Sequence, residues 1–348
     1  RTHLRLLGMD NYPPAPAEQA NVQALARELY PAHTDEQIGE MTQALERRPG
    51  GAFATLTALR QEYLQLNRDL ADWATRTPRR YPGTEVNMDR QEYSDMRQNR
   101  VLFWRELLSA WRQETETDAY FEGPSQNGHK LKSHAILFGD LPALQANFEH
   151  ISFLELEGNL NALNLDGFLR SFPKLRHLNI SNARLGQLPP AVRTMPQLNA
   201  LFLSDCGITL TPESLNILTA MNRLRTLDLY KNPLGLTPNV ERMVDLRFLD
   251  LSDTGISTVP AGLLSRASLE LATLSRNQIT QLPSALFDLP ADTATTFDLS
   301  ANPLSRATLE QVKRYYQRTG RYWDVDALAI DIQRVNTLFP DFSVNEVK

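Results

Sequence analysis

The sequence predicts an α/β solenoid of short parallel strands stacked side by side, with helices at both ends. Three observations carry this. Seven segments repeat one leucine pattern at intervals of 22 to 26 residues. The 348 residues exceed one average compact core, whereas a stack of repeats grows without one. The stretches before and after the repeats change to a helical period.

Aligned on Leu-x-x-Leu-x-Leu-x-x-Asn-x-Leu, the segments begin at Ile151, Leu175, Leu198, Leu224, Leu246, Leu269 and Ala294, at spacings of 24, 23, 26, 22, 23 and 25 residues. These are leucine-rich repeats by period and pattern. Pairs such as Leu154 and Leu156, or Leu227 and Leu229, point inward from a strand while the residues between them face out. Asn159, Asn232, Asn277 and Asn302 share a column in which an amide can satisfy backbone groups freed as the chain turns, and Ala183, Cys206 and Thr254 fill it elsewhere. A weaker match over Lys130–Ile136 puts Leu131 in the strand column and His134 in the asparagine column, as expected of an atypical end repeat. Leu141-Pro142, Leu188-Pro189, Val259-Pro260 and Leu282-Pro283 stop the ladder and start the return segments.

Residues 1–122 read as an all-helical unit, 123–304 as the cap and seven repeats, and 305–348 as a helical cap leading into a further helical unit. Val22, Leu25, Ala26 and Leu29 form one helical stripe. Leu56, Leu59, Tyr63, Leu66, Leu70 and Trp73 form a second, and Tyr93, Met96, Trp104, Leu107, Leu108 and Trp111 a third, past a loop from Arg76 to Gly83. The tryptophans read as packing against the first repeat. Leu29-Tyr30-Pro31 with Thr34 and Gln37 recurs as Leu338-Phe339-Pro340 with Ser343 and Glu346; each ends a helix at proline and opens the next with a capping box. A helix from Thr308 to Arg318, closed by Gly320, would shield the last repeat.

Composition narrows the function. Thirty-six Lys and Arg against 41 Asp and Glu argue against a sequence-independent grip on nucleic acid. No run of 18 apolar residues is present to cross a bilayer. One cysteine, Cys206, makes no intramolecular disulfide, which argues against a disulfide-capped receptor ectodomain. Its place in the asparagine column reads as structural. Phosphate-loop, nucleophile-elbow, zinc-protease and dinucleotide motifs are missing, and the six histidines lack metal-ligand spacing and read as surface residues, so neither catalytic residue, metal nor cofactor is expected.

What remains is a face. The outward strand positions include the aromatics Phe153, Phe202, Tyr230 and Phe248 and the acids Glu155, Glu157, Asp205, Asp228, Asp250 and Asp253, with His177, Lys231 and Arg276 among them. These residues are the expected partner-binding set, because rigid exposed aromatics concentrate binding energy. Asp228 and Asp250 fall in one column of adjacent repeats, where a basic patch on a protein partner would relieve their repulsion. Replacing Phe202, Tyr230 and Phe248 by Ala is expected to abolish capture while sparing stability. The chain begins Arg-Thr-His and stops inside an apparent new helix, so it is expected to be a piece of a longer protein.

Leu107-Leu108-Ser109-Ala110-Trp111-Arg112 before the repeats and the run from Asn302 to Leu309 after them give the region a resemblance to the repeat region of bacterial ubiquitin ligases of the IpaH-like family, especially the toxin-like pseudomonad branch. The resemblance implies a recognition region for a host protein, secreted into the host cytoplasm; the single cysteine fits a reducing environment, and a monomer is expected. It also implies that ubiquitin transfer uses a Cys-x-Asp cysteine elsewhere in the parent, since Cys206 is followed by Gly207 and Ile208. A non-enzymatic adaptor or toxin scaffold is the alternative.

Overall fold

The structure is a computed structural model and describes residues 16–118, 128–161, 164–321 and 323. Four helices open it: α1 Pro16–Leu29, α2 Asp35–Glu46, α3 Gly51–Thr75 and α4 Arg90–Trp111. Thr34 caps α2 as its sequence predicts, accepting from the Gln37 N–H at 3.2 Å while the Gln37 side chain accepts from the Thr34 N–H at 2.8 Å. The second copy of this motif lies outside the described residues. Leu56, Leu66, Leu70 and Trp73 of α3 are buried, as are Met96, Leu107 and Trp111 of α4. The two stripes thus face inward as read.

One nine-stranded sheet follows, in sequential order. Its strands are β1 Thr117–Asp118, β2 Gly128–Gly139, β3 Ile151–Leu160, β4 His177–Asn179, β5 Ala200–Phe202, β6 Thr226–Asp228, β7 Phe248–Asp250, β8 Leu271–Thr273 and β9 Phe297–Asp298. All neighbours are parallel except β1 and β2. β1 places a strand inside the segment expected to be wholly helical, so the sheet starts earlier than residue 123. The register sets Leu154, Leu178, Leu201, Leu227, Leu249, Ala272 and Phe297 in one buried row. Stacking therefore buries side chains that a single repeat would leave in water.

Three of the turns that follow strands are held by a buried asparagine. The Asn232 side chain is buried; its Oδ1 accepts from the N–H groups of Cys206 and Ile208 at 3.0 Å, and its Nδ2 donates to the carbonyls of Leu203 and Leu229 at 2.8 and 2.9 Å. Asn277 and Asn302 do the same work. Thr254 substitutes only in part, its hydroxyl donating to the Leu251 carbonyl. Cys206 is buried beside the Ile180 carbonyl, and burial pushes its thiol up to about 11, against a role as nucleophile. The residue before the column is left-handed in six repeats, at Asn182, Asp205, Lys231, Asp253, Arg276 and Ala301. That conformation lets five of them donate N–H to the next repeat, Lys231 to Ser252 and Arg276 to Ser300 among them.

The N-terminal end departs from the expected columns. Leu131 does pair with Leu154, but a register shift between Lys132 and Ile136 sets Phe138, not His134, opposite Asn159. His134 is exposed and its N–H goes to Glu106 of α4, while Asn159 lies within β3 and turns no corner. Both assignments to the asparagine column are corrected here; the cause is the length of β2 and β3, which run on as strand where later repeats turn. Gly158 permits this crossing: at φ +133° its missing Cβ would stand 1.8 Å from the Leu137 carbonyl oxygen.

The helices and the repeats share one apolar core rather than two. Trp73 Nε1 donates to the Asp140 carbonyl at 3.2 Å, and Arg100, 2% exposed, donates to Asp140 Oδ1 at 2.8 Å and to the Trp73 carbonyl at 2.9 Å. Glu62 of α3 accepts from Trp111 Nε1 and from the Asn147 N–H, both at 3.0 Å. Trp104, packed against that core, donates from Nε1 to Asn67 Oδ1 of α3 at 2.9 Å. Between strands, α5 Leu165–Leu169 follows β3 and α6 Pro212–Ala220 follows β5; at the other end α7 Arg306–Thr319 closes the stack with Leu309, Val312 and Tyr315 buried. Ser305 caps α7 and Gly320, at φ +68°, ends it.

The histidines at this junction correct their reading as surface residues. His150 is half-buried, its Nε2 donating to the Ala110 carbonyl at 2.6 Å, with its ring 6.0 Å from that of His129. Burial lowers His33 and His150 below the ordinary 6.5; His129 adds to both shifts, and Glu114 near His33 and Glu149 near His150 oppose them. A depressed imidazole binds fewer protons folded than unfolded. Its contribution is complete above the unfolded value and is lost as the pH falls below it. The urea midpoint should therefore drop from pH 7.5 to pH 5.5, and His150→Gln should flatten the dependence. A midpoint unchanged over that range would refute the assignment.

Candidate concave binding face

The outward strand positions form two rows. The first runs Phe153, His177, Ala200, Thr226, Phe248, Leu271 and the second Glu155, Asn179, Phe202, Asp228, Asp250, Thr273, Asp298. The predicted aromatics share this face but do not form one cluster. Phe153 lies flat on His177, ring centroids 3.9 Å apart at 9°, and Phe202 leans on the other side of the imidazole at 5.2 Å. Tyr230 is separate, beneath the Arg276 guanidinium at 5.8 Å. Phe248 stands apart from both groups and is 40% exposed beside Leu271, which is 43% exposed.

The sparing of stability is therefore expected for Phe248 alone. Phe202 and Tyr230 are half-buried and packed, so their removal would cost folding energy as well.

Several charges on the N-terminal half are paired with one another. Glu155 accepts from His177 Nε2 at 3.0 Å and pairs with Lys132 at 3.5 Å, while Lys130 stands over Phe153 and pairs with Glu116. Burial holds His177 below its ordinary value although Glu155 opposes the shift. Lys231 pairs with Asp205 at 3.2 Å. Glu157 and Asp205 line an open cleft of about 740 Å³ past the strand ends, together with Ile136, Asn159 and Asn182. Asp253 is exposed in the left-handed column.

The aspartate column does local work. Asp228 Oδ1 accepts from the Tyr230 N–H at 2.9 Å, Asp250 Oδ1 from Ser252 N–H at 2.9 Å and from its hydroxyl, and Asp298 Oδ1 from both groups of Ser300. Their recurrence thus has a fold reason: each caps the end of its strand. Burial nevertheless raises the Asp228 carboxyl, and Asp250 adds to the shift.

The sequence reading missed the Arg247–Glu270 pair, in which Arg247 Nε donates to Glu270 Oε1 at 2.8 Å beside Phe248. The signal was present as opposite charges immediately before strands β7 and β8. Among the described residues no group of three or more His, Cys, Asp or Glu is placed to hold a metal ion, and no helix is long and apolar enough to cross a membrane.

Successive parallel strands with an inward apolar row, turns held at three places by asparagine and a capped end define the chain as a leucine-rich-repeat solenoid. No protein-family model matches it. It is similar to human podocan-like protein 1 (34% identity over 154 residues, 43% of this chain and 28% of that protein) and to an Arabidopsis thaliana disease resistance protein (36% over 121 residues, 34% and 12%). A flightless-1 homologue of Caenorhabditis elegans is 31% identical over 115 residues, covering 31% of this chain and 9% of that one. The chain thus matches 28% or less of the length of each of these relatives. Among solved structures, a Leptospira interrogans leucine-rich-repeat protein aligns at 20% identity and a TM-score of 0.40, over 56% of this chain and 54% of that one. An internalin-like protein of Listeria monocytogenes gives 20% and 0.35, over 49% of each chain.

Proposed function

We propose that the concave face captures a host protein, and that the chain is the recognition region of a secreted bacterial effector whose ubiquitin transfer is carried by a segment outside these 348 residues. The observation that carries the capture is the exposed Phe248–Leu271 pair on β7 and β8, each of which pairs with a neighbour on both sides. The effector reading is supported by where the motifs of the resemblance sit. Leu107 and Trp111 are buried where the helices meet the repeats, and Asn302, Leu304 and Leu309 seal the far end.

The test is made on the parent protein. Its reading frame is expected to carry a Cys-x-Asp segment. The Phe248→Ser parent should still discharge a ubiquitin-loaded conjugating enzyme yet lose ubiquitination of the captured protein. A frame without such a segment, or capture that survives Phe248→Ser, would overturn the reading.

A further inference from the structure

The exposed apolar pair does not stand alone. Across β6, β7 and β8 the register forms a small grid, with Thr226, Phe248 and Leu271 in one row and Asp228, Asp250 and Thr273 in the other. Strands lie about 4.8 Å apart and outward positions on one strand about 6.8 Å apart. An apolar floor and two carboxylates are therefore within one side chain's reach. On its far edge the floor is closed by Arg247, already neutralised by Glu270.

The two carboxylates carry more charge than the fold uses. Each spends only Oδ1 on its strand end, and Oδ2 of both has no hydrogen-bond partner among the described residues. Asn179 shows the difference. In the same column of an earlier repeat its Oδ1 accepts from the Ser181 N–H at 3.1 Å and from the hydroxyl at 2.9 Å, so a neutral amide makes the same cap. The negative charge at 228 and 250 is thus surplus to the turn. Nearby cations do not cancel it, since Lys231 is paired with Asp205 and Arg276 is committed to the Tyr230 ring.

Resting on the reading of the concave face given above, we infer that this grid is a cradle for one lysine or arginine side chain of the partner protein. Its aliphatic stem lies on Phe248 and Leu271, and its cation sits between the free oxygens of Asp228 and Asp250. Long cationic side chains have this division into an apolar stem and a charged head. Charge complementarity of this kind sets partner choice more than it sets bulk affinity.

The probe is a random peptide library displayed on phage and selected on the full 348-residue chain. Expected winners place Lys or Arg beside an apolar residue. Synthetic peptides made from them should bind the Asp228→Asn/Asp250→Asn chain about tenfold more weakly, and replacing the basic residue by norleucine should cost as much. The double variant keeps both strand-end caps, so it folds. Winners that lack a basic residue, or that bind the double variant equally well, overturn the cradle. Phe248→Arg separates the two readings. If it abolishes binding of winners without a basic residue, concave capture stands and only the cradle falls; if it leaves all winners bound, both fall.

Discussion

Replacing Asn232 by Ala should lower the unfolding free energy by about 4 kcal/mol, measured by urea denaturation. The side chain is fully buried, and removing it leaves the Cys206 and Ile208 N–H groups and the Leu203 and Leu229 carbonyls to find other partners in a dry interior. Each orphaned group costs about 1 to 3 kcal/mol, offset where a carbonyl keeps a second bond. Asn232→Asp should recover little, since it keeps the acceptor but loses both donors. Asn159→Ala is the internal contrast. That residue occupies the same place in the repeat but lies inside β3, so its loss should stay within about 0.5 kcal/mol. Equal effects at both positions would refute the asparagine ladder as drawn.

Asp140→Ala should cost about 3 to 5 kcal/mol, because it leaves the buried Arg100 guanidinium without its carboxylate. Burial already lowers the Arg100 pKa and Asp140 is the main influence opposing that shift. The guanidinium keeps the Trp73 carbonyl and lies 4.3 Å from the centre of that indole, which limits the loss without replacing the charge. Arg100→Met/Asp140→Ala, which removes charge from both sides, should recover much of the deficit. If the single Asp140 substitution cost less than about 1 kcal/mol, water would have to reach Arg100 and the junction would be looser than its geometry shows.

The repeats were legible because inward leucines recur at a fixed spacing and one buried row demands them. Asn232, Asn277 and Asn302 were legible because they recur at one place in the leucine pattern, where an amide both accepts from and donates to turn backbone. His134 and Asn159 were misplaced because a register shift in one strand pair leaves no mark in the spacing of leucines. The binding face was legible as a set of outward positions, but not which aromatics pack on each other. That depends on rotamers and on neighbours 22 to 26 residues away, such as His177 between Phe153 and Phe202. The left-handed turns could be guessed at Asn182, Asp205 and Asp253, whose side chains tolerate that region, but not at Lys231 or Arg276, where the hydrogen bond to the next repeat imposes it.

The long β2–β3 pair gives the molecule a direction. Eight residue pairs join these two strands, three join most later neighbours, and Glu106 and Asn99 of α4 cover the outer edge of β2. A zipper fastened at one end opens from the other. Pulled by its two ends, the chain would shed α7 and the last repeat first and yield the helical end last. A load on the C-terminal side would therefore fall on the weakest turn of the stack while the opposite end held its shape.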